Sequence, residues 1–154
     1  MPTPNYQHTQ SAPLQWILYL VAVALGVAAW LERASGPALV AALLIGAGVF
    51  VLLALCFGTL TVTDRGEALV ARFGPLPLFG VRVPYAEIES AEQSRTGFID
   101  GWGIHWLPGR GWVYNLWGFE CVRMVVRGRV VRIGTDDAAG LVAFVRKRAL
   151  HDGR

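Results

Sequence analysis

LQWILYLVAVALGVAAWL (residues 14–31) and PALVAALLIGAGVFVLLALCF (residues 37–57) are two apolar runs separated only by ERASG (residues 32–36). Glu32 and Arg33 carry the only charges between residues 14 and 57. At a rise of ~1.5 Å per residue the first run makes a helix of about 27 Å, close to the ~30 Å hydrocarbon core of a bilayer. Lipid offers the backbone no hydrogen-bond partner, so each run is predicted to be a transmembrane helix. The short linker forces a tight helical hairpin. Trp16, Tyr19 and Trp30 fall near the ends of the first run, where amphipathic rings favour the interface.

A cleaved signal peptide would need a positive leader, and residues 1–13 hold no Lys or Arg. That segment reads as a disordered tail. Small residues recur every four positions at Ala22 and Gly26, then at Ala38, Ala42 and Gly46. This spacing lets helix backbones approach closely in lipid. Packing within the hairpin is expected ahead of dimerisation, and homo-oligomer formation stays open. Thirteen of the fourteen Lys and Arg residues follow the second run. The positive-inside rule therefore leans toward a cytoplasmic C-terminal part, with the N-terminus on the same side. The expected location is the cell (inner) membrane.

Hydrophobic residues make up 54% of the chain and charged ones 16%, against roughly 25% charge in average globular chains. The two cysteines, Cys56 and Cys121, form no CxxC or Cys/His cluster, so neither a zinc site nor a disulfide framework is expected. Cys56 near the membrane surface is a palmitoylation candidate, but an ordinary buried thiol is the favoured reading. The net charge of +3 is modest. Its excess of Arg over Lys reads as coding bias rather than phosphate recognition, and no nucleic-acid partner is expected.

After Phe57 the period changes. TLTVT (59–63), ALVARF (68–73), GVRVP (80–84), IESAEQS (88–94), WVYNLW (112–117), CVRMVVR (121–127) and VVRI (130–133) read as strands. GPLPLFG (74–80) is a breaker, since its prolines and glycines do not suit a central strand. Arg127-Gly128-Arg129 predicts a tight hairpin. Thr135-Asp136-Asp137 predicts a helix N-cap, with acidic charge at the positive end of the dipole. Leu141, Val142, Val145 and Ala149 then follow at helical spacing, and Arg146, Lys147 and Arg148 occupy the last turns. About seven antiparallel strands and one helix of about fourteen residues predict an α+β domain over residues 58–150, a bent sheet or barrel capped by the helix. Residues 151–154 read as a tail.

LTVTDRGEALVARFGP (60–75), VPYAEIESAE (83–92), GWGIHWLPGRGWVYNLWG (101–118) and VVRIGTDDAAGLVAFVRKRAL (130–150) resemble the bacterial pleckstrin-homology-like (PH-like) domain found behind short transmembrane hairpins. The Pro84–Ile88 turn and the glycine-tryptophan stretch carry most of the likeness. The resemblance implies a fold and a membrane-proximal position, and no catalytic residue. GPLPLFG and His105-Trp106 depart from the pattern.

The residues point to no known chemistry. His8, His105 and His151 are scattered, no serine sits in a GxSxG elbow, and no phosphate-binding GxxxxGK[ST] occurs. Asp100 and His105 are the one tempting acid–base pair, and they read better as loop residues. No cofactor or metal is expected, and the chain is read as non-enzymatic.

Two surfaces stand out instead. In the 101–118 stretch Trp112, Tyr114 and Leu116 alternate, and Trp112 is expected to fill the barrel. Trp102, Trp106 and Leu107 sit on its looped half. They either fold back over the sheet or, with Arg95 and Arg110, face lipid. Arg95, Arg110, Arg123, Arg127, Arg129 and Arg132 form either a basic face toward anionic headgroups or a solvated face interspersed with Glu87, Glu89, Glu92 and Glu120. Arg123, Arg127, Arg129 and Arg132 are the partner-facing candidates. Three functions are therefore carried forward: a membrane-anchored module that binds a protein partner or scaffolds an assembly, a sensor of anionic lipid surfaces, and an enzyme of unrecognised type.

Overall fold

A computed structural model describes residues 6–76, 78–97 and 101–151. Among these residues nine strands and three α-helices follow one another. They are β1 (Gln7–Ser11), α1 (Leu14–Leu31), α2 (Pro37–Phe57), β2 (Thr59–Asp64), β3 (Ala68–Phe73), β4 (Gly80–Pro84), β5 (Ile88–Arg95), β6 (Gly103–Leu107), β7 (Gly111–Asn115), β8 (Glu120–Val126), β9 (Arg129–Gly134) and α3 (Ala138–Val145).

The helices α1 and α2 fall on the two apolar runs. Both are long and apolar enough to cross a membrane, and only 11% of either span is buried. The core helix of a water-soluble protein would be mostly buried, so the exposed apolar surface points to a membrane location. The helices pack through part of the predicted small-residue pattern. Ala22 is buried, as is Ala29 outside that pattern, and a Cβ added at Gly46 would stand 3.4 Å from Leu25 Cδ1. Ala38 and Ala42 are exposed and take no part.

The expected disordered tail needs correction where it is described. Residues 7–11 form β1, antiparallel to β2, with Gln7 opposite Thr63 and Ser11 opposite Thr59. The Ala12 N–H donates to the Gly58 carbonyl at 3.0 Å, which carries the ladder to the feet of the helices. The helical hairpin is thus inserted between two neighbouring strands. Polar QHTQS has none of the apolar alternation that marks a strand. It becomes one because the hairpin delivers it beside β2. Residues 1–5 and 152–154 lie outside the described residues.

One sheet runs β1-β2-β3-β4, and the other β5-β8-β9-β7-β6. Leu60, Val62, Leu69, Phe73 and Val83 from the first meet Ile88, Ala91, Val122, Met124 and Ile133 from the second. Leu141, Val142 and Val145 of α3 complete the core. The chain is α+β as expected, but the sheets do not close into a barrel and there are more strands than predicted. Among the described residues the pairings are antiparallel except β7 with β9, which run parallel. Alternation carries no strand direction, so this pairing leaves no trace in the sequence. Gly111 permits it: a Cβ there would lie 2.1 Å from the Val130 carbonyl oxygen.

Two local predictions hold closely. Arg127 and Gly128 both have positive φ, 48° and 70°, as a two-residue hairpin of the right twist requires. Asp137 caps α3, its Oδ1 accepting from the Gly140 N–H at 3.1 Å. The α-helical part is shorter than predicted, and residues 146–151 continue as a π turn. Arg146 Nε there donates to the Ala91 carbonyl at 2.9 Å, and the guanidinium of Arg148 donates to the Gly66 carbonyl at 3.0 Å.

Candidate functional site

The tryptophan-rich stretch is a hairpin rather than a half-looped segment. Trp106 and Leu107 sit on β6, and Trp106 stands directly opposite Trp112. The expectation that Trp112 fills a barrel is corrected. Trp112 is 44% exposed and Leu116 only 4%, while half-buried Tyr114 packs against the core. The bulky face therefore starts at the rim and descends inward. The opposing elements cover only the end nearest residue 116. Val113 and Asn115, on the other face, are fully buried. The Asn115 amide donates to the Gly118 carbonyl at 3.1 Å and lies 3.4 Å from Thr96 Oγ1.

Trp102 folds back. Its ring stacks on Trp117 with centroids 4.4 Å apart, and its Nε1–H donates to the Gly118 carbonyl at 3.3 Å. With Gly97, Gly101 and Phe119 it lines a 260 Å³ hollow. Trp106, 56% exposed, and Trp112 remain an uncovered aromatic pair. Trp106 lies on β6 and Trp112 on β7 beside it, and the outer edge of β6 pairs with no strand among the described residues.

The predicted basic residues do not share one face. Arg123 and Arg132 are direct cross-strand neighbours. Arg129 belongs to the opposite face of β9. Arg110 lies in the β6–β7 turn and Arg95 opposite Glu120. Arg123 pairs with Glu92 at 2.8 Å and Arg127 with Glu87 at 2.7 Å. Glu89 accepts from the Gly128 N–H at 2.9 Å. Acids thus interleave these arginines. Of the Asp100–His105 pair, read above as loop residues, His105 lies mid-strand on β6 with a buried Nε2 that has no hydrogen-bond partner among the described residues, and Asp100 lies outside the described residues. Among the described residues no three His, Cys, Asp or Glu side chains gather as metal ligands would.

The sequence reading passed over a third surface. The β3–β4 turn, residues 74–80, is pinned to the foot of α2. The Gly74 N–H donates to the Thr59 carbonyl at 2.7 Å. Phe57, the last residue of α2, stacks on Phe79 at 5.5 Å and meets Phe73 edge-on at 5.6 Å. Leu76, Leu78 and Phe79 are nonetheless exposed, Leu78 by 66%. Beside them runs an open groove of 540 Å³ lined by Arg65, Arg72, Arg82, Val70 and Phe79. None of the three guanidinium groups has an ion-pair or hydrogen-bond partner among the described residues. A run of prolines and glycines signals a turn but not what the turn rests against, and the three arginines are far apart in sequence. Only strand register brings Arg72 and Arg82 together, through the β3–β4 ladder.

Two tyrosines tie the strands to their surroundings. Burial, and then the Asp64 carboxylate that accepts its hydroxyl at 2.9 Å, push the Tyr85 phenol well above its ordinary range. Burial, and then Asp137, which accepts its hydroxyl at 3.0 Å, raise Tyr6 likewise.

Comparison of the chain with protein-family models, with curated proteins and with solved structures found no match.

Proposed function

We propose that this chain is a membrane-anchored, non-enzymatic module of PH-like type that docks a protein partner along the open edge of β6. In this reading α1 and α2 cross the cell (inner) membrane as a multi-pass hairpin, and both the N-terminal strand and the β module face the cytoplasm. The observation that carries it is the exposed Trp106–Trp112 pair beside an unpaired strand edge. An open edge offers main-chain hydrogen bonds to an extended segment, and large rigid aromatics supply binding energy at small entropic cost. The insertion of the hairpin between β1 and β2 supports a scaffolding role, because it holds the module at a fixed attitude to the bilayer. The interleaved acids make Arg123, Arg127, Arg129 and Arg132 a weaker partner surface than the tryptophan edge.

Photocrosslinking in cells tests this. A crosslinker at Trp106 is expected to give a discrete protein adduct that disappears with Trp112→Ala, and one at Arg123 to give much less. Adducts of equal yield from both positions, or none from Trp106, would remove β6 as the docking edge. A second reading, recognition of anionic lipid, is favoured by the arginine groove beside the β3–β4 turn.

A further inference from the structure

We infer that the β3–β4 turn is a second membrane contact. Leu76, Leu78 and Phe79 enter the boundary between headgroups and acyl chains, and Arg72 and Arg82 meet lipid phosphates just outside it. This rests on the membrane reading of α1 and α2.

Depth is the first argument. The feet of the two helices are level, tied by the Ala12–Gly58 hydrogen bond. The turn is fixed to that level by the Gly74–Thr59 bond and by the Phe57–Phe79 stack. A Cβ at Gly74 would lie 2.1 Å from the Leu55 carbonyl oxygen and 2.6 Å from that of Cys56. The turn therefore touches the last turn of the span itself. Among its exposed apolar side chains, Phe79 is joined to the end of α2 by its stack on Phe57.

Charge is the second argument. Going away from the membrane, the apolar tip gives way to Arg72 and Arg82, both exposed and without a counter-ion among the described residues. Arg65 reaches into the same groove from its far end. An apolar tip below guanidinium groups matches the order of acyl chain and phosphate in a leaflet. A protein partner would not need this depth ordering, so the occupant is the bilayer.

The full-length chain in lipid nanodiscs provides the test. Cys56 and Cys121 are buried, so Leu78→Cys and Leu76→Cys can be spin-labelled selectively. Ile45→Cys, mid-span, serves as the lipid control and Glu89→Cys as the aqueous one. In power-saturation measurements the labels at 76 and 78 are expected to favour oxygen over a water-soluble nickel relaxant, as the label at 45 does. An aqueous signal at both 76 and 78 with a lipid signal at 45 would overturn this inference and leave the hairpin standing. An aqueous signal at 45 would overturn the membrane reading itself. Spin-labelled phosphatidylglycerol is expected to be preferred over phosphatidylcholine at the protein surface, and Arg72→Gln with Arg82→Gln to reduce that preference about fivefold or more. An unchanged preference would remove the phosphate contacts.

Discussion

The two glycine-rich segments of the β module, residues 74–80 and 101–118, invert the roles their compositions suggest. The second is full of tryptophan and reads as a segment that could dip into lipid. It folds into a hairpin whose Trp102 is stacked on Trp117 and whose Trp106, on the open edge strand, stands opposite Trp112 on the neighbouring strand. The first reads as a plain breaker, yet it is the one fastened to the end of a helix long and apolar enough to cross a membrane. Aromatic content measures how much a segment gains by leaving water. Attachment to the fold decides where it can go.

Glycine substitutions break this contrast most strongly. Gly74 and Gly109 have almost the same backbone, with φ of 65° and 71°. Alanine in this conformation costs about 1–2 kcal/mol through Cβ strain alone. At Gly109 nothing lies within 4 Å of the added carbon, whereas at Gly74 it would meet the Leu55 carbonyl oxygen at 2.1 Å. Gly74→Ala is therefore expected to cost about 3–4 kcal/mol, and Gly109→Ala only the strain. Denaturant unfolding in detergent micelles compares them directly. Equal losses would mean that the 74–80 turn is not held against α2.

Alkaline pH separates the same two parts of the molecule. Tyr85, just after β4, owes its raised pKa to burial and then to the Asp64 carboxylate. Tyr114, on β7, is raised by burial alone. A folded-state pKa above the unfolded value of about 10 gives stability that is complete below that pH and is lost as pH climbs past it. Tyr85→Phe is expected to cost about 1 kcal/mol at neutral pH, from the lost hydrogen bond. It is also expected to flatten the fall in stability above pH ~10. Tyr114→Phe removes no side-chain hydrogen bond that contributes to its shift, so its cost at neutral pH is expected to be smaller. Melting curves over a pH series read both quantities. A neutral-pH cost as large for Tyr114→Phe would place the two hydroxyls in equivalent settings.

Much of this architecture was legible because one residue or one period decides it. The uncharged runs specify α1 and α2. Arg127-Gly128 specifies the β8–β9 turn, and Asp137 specifies the start of α3. What was hidden depends on chain segments brought together from afar. β1 has no apolar alternation and exists because the hairpin returns beside it. The alternation in β7 identifies its bulky face, yet not how far the facing elements extend, so Trp112 at the rim and Leu116 at the floor look alike in sequence. The same blindness applies to the arginines. Proximity in sequence groups Arg127, Arg129 and Arg132, whereas the unpaired set, Arg65, Arg72 and Arg82, is assembled by a ladder.

The smallest effect on stability carries the sharpest discrimination between the two segments. Trp106 is 56% exposed and Leu78 66% exposed, so replacing either removes little buried area. Trp106→Thr is expected to cost about 0.5 kcal/mol, the scale of a cross-strand aromatic pair, and Leu78→Ser less than about 0.5 kcal/mol in detergent. In a bilayer the two should part. Leu78→Ser withdraws an apolar group from the leaflet, so its cost should rise on moving from micelles to nanodiscs, while that of Trp106→Thr should stay constant. Micelles wrap whatever apolar surface is offered, whereas a bilayer wraps only what lies at the right depth. If the cost of Trp106→Thr rises instead, the tryptophan edge is the segment that meets lipid, and the contrast between the segments runs the other way.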